Sequence, residues 1–344
     1  MKILKIGKRL VGENHPCLII AEIGSNHNHD LAMVKKMIDS AARCGADVVK
    51  FQSFRADALI VKKRKVHGKY ERNPRWELLN SLELPGSWHK ELFEYCSRKN
   101  IIFMSSPWDL AAVDLLESLG VGAYKIGSSD LTHHPLLKYI AATGKPIFMS
   151  IGMATFDQID EAIEVIRSEG NDQIALLHCI VNYPPELDTV NLRYIQELTK
   201  RYQRPIGYSD HNIENGPSIA AVALGATILE KHITVSREME GPDHGHAITL
   251  RELDQLVADV RAVEMALGTA AYQPGKAEFE RIKRARRSAY ASVDIEEGTE
   301  ITMDVIQWLR PGGAIEPKEA DRLLGLRAAR KIEKYKNITW DDLV

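Results

Sequence analysis

Apolar and polar positions alternate along this chain in a regular rhythm. Short, nearly continuous apolar runs, CLIIAEI at 17–23 and ADVVKFQ at 46–52, have the length and β-branched content of buried strands. Between them, LAMVKKMIDSAARCG at 31–45 has helical spacing. The pattern then repeats. Strand-like runs fall at 101–106, 121–130, 146–152, 173–179, 205–210 and 226–232, and helical ones at 87–100, 110–120, 134–144, 156–170, about 191–200, about 216–224, and 250–268. Continuous apolar strands alternating with amphipathic helices predict a parallel sheet covered by helices. Eight such units in about 250 residues predict a closed (β/α)₈ barrel. An open doubly wound sheet is the rival, but IGSNHNHD after the first strand carries one glycine and no GxGxxG.

The rhythm stops near residue 269. An arm at 1–16 and the barrel together fill 1–270, a basic stretch at 271–287 reads as a linker, and 288–344 reads as a small β-rich domain. Within the linker KAEFERIKRARR has six basic and two acidic side chains, too short a run to imply nucleic acid. About 57 residues make a marginal domain, so it is expected to dock on a barrel, its own or a partner's.

Composition narrows the class. With 45 basic and 47 acidic side chains in 344 residues the net charge is -2, which excludes a strongly basic nucleic-acid binder. Apolar residues at 44% and charged residues at 27% fit a core with a solvated surface rather than disorder. Cysteines at 17, 44, 96 and 179 form no CxxC pair, so neither a disulfide framework nor a zinc finger is expected. The first residues have no long apolar segment and no stretch of 18 apolar residues follows. A cytoplasmic protein is the expectation.

Chemistry concentrates at the C-terminal ends of the strands, where barrel active sites lie. His211 and His232 end consecutive strands seven and eight. Strands are about 4.8 Å apart, so two imidazoles there can share a divalent ion completed by waters or substrate. The bland alternative is two satisfied polar residues under a loop. Lys50 and Lys125 end strands two and four. With Ser106, Ser128, Ser150 and Ser209 they suit an anion cradle; a Schiff base and structural salt bridges are the alternatives. Glu22 ends strand one and either acts as an acid or base or pairs with Lys50. Asp210 is placed to orient His211, and Glu230 to face the helix layer or an ion pair. Asp243 lies in GPDHGHA with His244 and His246, which either bind substrate or metal or shape the loop. Cys179 is expected to be a small buried apolar residue. Arg310, beside Trp308 and Pro311, is either a surface residue or one that reaches across an interface.

Taken in order, AEIGSNHNHD, VVKFQSF, FMSSPWD, YKIGSSD, IGMAT, LLHCIVNYP, PIGYSDHN, EKHITV and GPDHGHA resemble the motifs of the sialic acid synthase family. RRSAYASVDIEEG and WLRPGGAIEP resemble that family's small antifreeze-like, or SAF, domain. The resemblance implies a (β/α)₈ barrel, a homodimer in which each small domain caps the partner's active site, and a divalent metal, Mn2+ before Mg2+ or Co2+. It implies condensation of phosphoenolpyruvate with an N-acylated amino sugar, N-acetylmannosamine, its 6-phosphate or a 2,4-diacetamido-6-deoxy hexose. His211 and His232 match the metal ligands. Lys50, Ser106, Lys125, Ser128, Ser150 and Ser209 match phosphoenolpyruvate-binding positions. Glu22, Gln52, Asp130, Tyr183 and Asp243 match positions lining the sugar site, Glu22 and Asp243 being candidates to guide water or a proton. Arg310 matches the arginine that reaches the N-acyl group across the dimer. The chain departs from the family in having Ser106-Pro107-Trp108 for Thr-Pro-Phe, Ser129-Asp130 for Gly-Glu, and Asn28-His29 for Asn-Gly. Val181 replaces a polar residue near phosphoenolpyruvate; Asn182 is the candidate to compensate, although its side chain should point the other way. A Schiff-base aldolase and a noncatalytic carbohydrate-binding protein are the competing readings.

Overall fold

The computed structural model describes residues 2–269 and 271–344. Eight barrel strands run β1 (Leu18–Glu22), β2 (Val48–Ser53), β3 (Ile102–Pro107), β4 (Tyr124–Ile126), β5 (Ile147–Ser150), β6 (Ile174–Cys179), β7 (Ile206–Asp210) and β8 (Ile228–Thr234). Each is followed by a covering helix: α1 (Leu31–Cys44), α2 (Gly86–Arg98), α3 (Leu110–Leu119), α4 (His134–Ala141), α5 (Phe156–Ser168), α6 (Tyr194–Tyr202), α7 (Gly216–Ala223) and α8 (Leu250–Leu267). Parallel ladders join the strands in the order β3-β2-β1-β8-β7-β6-β5-β4. β3 and β4 lie side by side without a ladder among the described residues, so the barrel is nearly closed. This is the architecture that the hydrophobic rhythm predicts.

Local sequence sets the ends of these elements. Asp30 and Asp109 accept from backbone N–H groups in the first turns of α1 and α3. Thr155 with Gln158, and Thr249 with Glu252, form capping boxes on α5 and α8. Gly45 and Gly120 end α1 and α3 in the left-handed region.

Side chains alternate between two cores. One face of each strand joins the helices, with Ile19, Val49, Phe51, Met149, Leu176 and Leu229 in one large cluster. The other face fills the barrel, with Leu18, Ile20, Val48, Met104, Phe148, Leu177 and Ile228. Leu4, Ile6 and Val11 join this inner layer. They come from the 1–16 arm, where Leu4–Ile6 pairs antiparallel with Arg9–Val11. Gly207 faces inward at a crowded point, where a Cβ would come within 2.7 Å of Ile228 Cβ, so β7 accepts no larger residue there. Because side chains alternate with period two, inner-face parity continues upward to residues 22, 50, 52, 106, 125, 150, 179, 209, 211, 230 and 232.

The chain divides into two units between Gly268 and Thr269. The barrel boundary expected at 270 falls on Ala270, which lies outside the described residues. The stretch expected to be linker holds a helix, Lys276–Ala285, within the second unit. Its amphipathic spacing is masked by the run of basic residues. Beyond it, Ser288–Ala291 pairs antiparallel with Ile306–Leu309, and Ala289, Ile295, Ile301, Ile315, Leu323, Ile332 and Ile338 make a separate small core. No helix among the described residues is long and apolar enough to cross a membrane.

Candidate active site

The C-terminal end of the barrel opens into a cavity of about 380 Å³. Strand register assembles its floor. Glu22 lies opposite Lys50 across β1 and β2, and opposite His232 across β1 and β8. Gln52 lies opposite Ser106, and Ser209 opposite Glu230.

Two buried lysines flank one carboxylate. Lys50 Nζ stands 2.9 Å from Glu22 Oε2, 3.8 Å from Glu230 Oε1, and donates to Ser106 Oγ at 3.4 Å. Lys125 Nζ donates to Ser150 Oγ at 2.7 Å and to the Ile126 carbonyl at 3.1 Å, and stands 3.7 Å from Glu230 Oε1. Ser209 Oγ donates to Glu230 Oε1 at 3.0 Å, and Gln52 Nε2 to Glu22 Oε1 at 2.9 Å. Burial opposes ionisation of Glu230, but Lys125 and Lys50 outweigh it and hold the carboxyl below its usual range. Burial raises the Glu22 carboxyl, against the pull of Lys50. Burial also works against both ammonium groups. Glu22 and Glu230 overcome it at Lys50, whose pKa rises, whereas Lys125 is left lowered, with Glu230 as its main anion and Lys50 as a competing cation. Lys125 is thus the less fully compensated of the two amines, and an anion bound beside it would favour its charged form.

His211 and His232 meet beside this cluster, ring centroids 5.5 Å apart. His211 Nδ1 is 2.8 Å from the Ile180 carbonyl. A carbonyl only accepts, so Nδ1 carries the proton and Nε2 of the neutral ring keeps the lone pair. Burial lowers the His211 pKa to about 3 and also lowers that of His232, so both rings are neutral donors. His232 Nδ1 is buried without a hydrogen-bond partner, 3.7 Å from Asp243 Oδ2. Two neutral imidazoles, one with an orphaned buried nitrogen, fit a first-row divalent metal whose remaining positions are filled by oxygen ligands. No set of three or more His, Cys, Asp or Glu with metal-holding geometry occurs among the described residues.

The loops complete the cavity. Tyr183 lies over His211 with ring centroids 4.0 Å apart. Asp243 Oδ2 accepts from Ser25 Oγ at 2.9 Å. Ser128 Oγ accepts from the Gly152 N–H at 3.0 Å. Gly152 leaves no room for a side chain, since a Cβ would fall 2.7 Å from Val181 Cγ2 and 2.9 Å from Ser128 Oγ.

Glu22, Lys50, Gln52, Ser106, Lys125, Ser128, Ser150, Tyr183, Ser209, His211, His232 and Asp243 all line this one cavity. Three expected residues do not. Asn182 is exposed while Val181 lines the wall, so the expected compensation is absent: successive side chains point apart. Asp130 is buried just behind the lining, accepting from Ser129 Oγ at 3.4 Å. Arg310 is an exposed residue of the second unit.

Two further expectations are decided. Of the two alternatives for Glu230, the ion pair holds: it faces the cavity between Lys50 and Lys125 rather than the helix layer, because it shares strand parity with His232. Asp210 does not orient His211: it faces outward and accepts from Lys231 Nζ at 2.7 Å and Ser218 Oγ at 2.6 Å. His178 and Ser105 likewise turn toward the helices, contacting the Val190 carbonyl and Ser53 Oγ. His244 shapes its loop through Thr234 Oγ1 at 2.6 Å and Asn28 Oδ1 at 3.1 Å. His246 packs 5.2 Å from His232, ring to ring, outside the cavity lining.

Comparison with known proteins settles the family. The NeuB family profile matches residues 37–272 and the SAF domain profile matches 286–344. The chain belongs to the NeuB family. Its sialic-acid-synthase-like barrel carries a C-terminal SAF domain, as the motifs imply. It is 39% identical to the N,N'-diacetyllegionaminic acid synthase of Campylobacter jejuni over 92% of this chain and 97% of that protein. It is 38% identical to human N-acetylneuraminate-9-phosphate synthase over 87% of this chain and 84% of that one. Among solved structures, the spore coat polysaccharide biosynthesis protein SpsE of Bacillus subtilis aligns over 100% of this chain and 99% of its own, with TM-score 0.70 and 34% identity. Phosphoenolpyruvate-dependent condensation to a sialic-type acid is the activity supported at the level of this NeuB family.

Proposed function

We propose that this NeuB-family chain condenses phosphoenolpyruvate with an N-acylated amino sugar, N-acetylmannosamine or a relative, and water. The products are a nine-carbon sialic-type 2-keto acid and phosphate. The observation that carries this reading is the pair of buried lysines, one of them under-neutralised, beside two neutral histidines in one cavity.

Lys50 and Lys125, with Ser106, Ser128, Ser150 and Ser209, bind the phosphate and carboxylate of phosphoenolpyruvate. Glu230 holds the two ammonium groups at that seat. Gln52, Tyr183 and Asp243 orient the acceptor, with Asp130 supporting the loop behind. His211 and His232 would hold Mn2+, with Mg2+ or Co2+ as substitutes; when bound, the metal supplies Lewis-acid polarisation of the acceptor carbonyl. C3 of phosphoenolpyruvate attacks the acceptor's aldehyde carbon, forming the C–C bond and leaving C2 electron-poor. Water adds at C2, guided by Glu22 or Asp243, which takes its proton. The tetrahedral intermediate collapses by C–O cleavage and releases phosphate.

In this reading the protein is a cytoplasmic homodimer. Each small domain covers the partner's barrel mouth and brings Arg310 to the acceptor's N-acyl group. Four free cysteines suit a reducing compartment, and the exposure of Arg310 leaves it available for such a contact.

Phosphate release from phosphoenolpyruvate, Mn2+ and a panel of amino sugars tests the reaction. In oxygen-18 water the product carries label at C2 and the phosphate carries none; labelled phosphate rejects C–O cleavage. His232→Ala with excess Mn2+ should lose most activity, and retention within threefold ends the metal role. Arg310→Ala should raise KM for the sugar chiefly, and an unchanged KM rejects the cross-dimer contact.

A further inference from the structure

One side of the cavity is unlike the rest. The loops after β2 and β3 are neighbours because those strands pair, and they contribute Phe54, Leu78, Leu79, Leu82 and Trp108 to the lining. Phe54 and Trp108 are stacked, with centroids 4.9 Å apart and planes 17° apart. Leu78 is 48% exposed although it sits on the short helix Pro74–Asn80, so the loop presents apolar surface to the cavity. The one charged side chain on this side is Arg75, exposed and without a carboxylate within ion-pair distance among the described residues.

The groups that the condensation uses come from the strand ends and, for Ser128 and Asp243, from the loops after β4 and β8, and none comes from this wall. Of the two reactants, the one that meets the leucine and aromatic wall is the acceptor, beyond its reacting carbon. A hydroxyl or phosphate placed there gives up hydration against three leucines and gains at most one solvated guanidinium. A methyl group gains burial without that loss.

We propose that this wall seats the apolar substituents of the acceptor, the methyls of acylamino arms and a methyl in place of the terminal hydroxymethyl. The chain thereby takes a deoxygenated diacylamino sugar in preference to a hydroxylated or phosphorylated one. The inference rests on the synthase reading above. Its size follows from pocket discrimination, where one methyl against a fitted apolar wall changes kcat/KM by about tenfold or more.

The test uses the full chain with phosphoenolpyruvate, Mn2+ and three acceptors: N-acetylmannosamine, its 6-phosphate, and 2,4-diacetamido-2,4,6-trideoxymannose. The trideoxy sugar should have a kcat/KM at least tenfold above the other two. Leu79→Asn should lower that value about tenfold, through KM, and lower that of N-acetylmannosamine, which offers the wall fewer methyls, by a clearly smaller factor; Leu79→Met should keep the preference. Turnover that favours the 6-phosphate and loses that preference in Arg75→Gln overturns the proposal and leaves the synthase reading standing. So does an equal effect of Leu79→Asn on all three sugars. Absence of phosphate release with every acceptor removes the synthase reading itself, and this proposal with it.

Discussion

Two buried lysine–carboxylate clusters sit on opposite faces of the same barrel wall. On the outer face Lys231 donates to Asp210 Oδ2 at 2.7 Å and to the Glu214 carbonyl at 2.9 Å. Asp210 also accepts from Ser218 and, at 2.8 Å each, from the backbone and side-chain nitrogens of Asn212. Every carboxylate oxygen there has a partner. On the inner face Lys50, Lys125, Glu22 and Glu230 are also buried. Glu22 Oε2 meets Lys50 Nζ at 2.9 Å, yet Glu230 Oε2 lacks a hydrogen-bond partner and both lysine contacts to Glu230 exceed 3.5 Å. Burial alone therefore does not mark function. A satisfied buried pair fixes helix α7 to the sheet, whereas an under-satisfied one is poised for a ligand to complete.

That contrast is breakable. Lys125→Ala should lower phosphate release on the order of a thousandfold, by removal of the under-neutralised cation, while the melting temperature stays near wild type. Activity within tenfold of wild type would mean that the inner cluster is structural. Asp210→Ala should do the opposite. It leaves Lys231 buried and unpaired at a cost of about 3–5 kcal/mol, with kcat/KM within threefold below the melting point. Adding Lys231→Met should recover most of that stability. Loss of turnover without loss of stability would place the outer pair in the mechanism.

A smaller effect concerns pH. Burial raises the Glu22 carboxyl above its ordinary value of 4.5. The folded state then binds more protons than the unfolded one, so this group's stabilising contribution is present at low pH and is lost as pH rises from about 4.5 through the raised value. Within that window wild type should lose roughly 1 kcal/mol per pH unit relative to Glu22→Gln. Thermal melts of both proteins from pH 5 to 8 read this directly, and parallel curves would show that Glu22 is as settled as the outer pair. The smallest effect is expected at Trp108, whose buried Nε1 has no partner. Trp108→Phe removes that unmet donor and should leave stability unchanged or raise it by up to about 1 kcal/mol; a clear loss would show that the indole ring is held by packing alone.

Much of this molecule was legible in the order of its residues. The eight strand–helix units follow from apolar periodicity. Lys50, Lys125, His211 and His232 are visible because each stands at a strand's C-terminal end. Glu230 was readable too, since residue 232 faces inward and parity places 230 beside it. Asp210 misleads because adjacency in sequence to a histidine is not adjacency in space: neighbouring strand residues face opposite sides.

What the chain's sequence determined alone was thus the list of elements and the candidate groups, because period two and period three-to-four patterns are local properties. Tertiary structure decided the rest. Only register between strands brings Glu230 between two lysines and turns Asp210 toward Lys231. Those outcomes depend on which residues oppose each other across ladders joining segments far apart in the chain, and no local pattern encodes that distance.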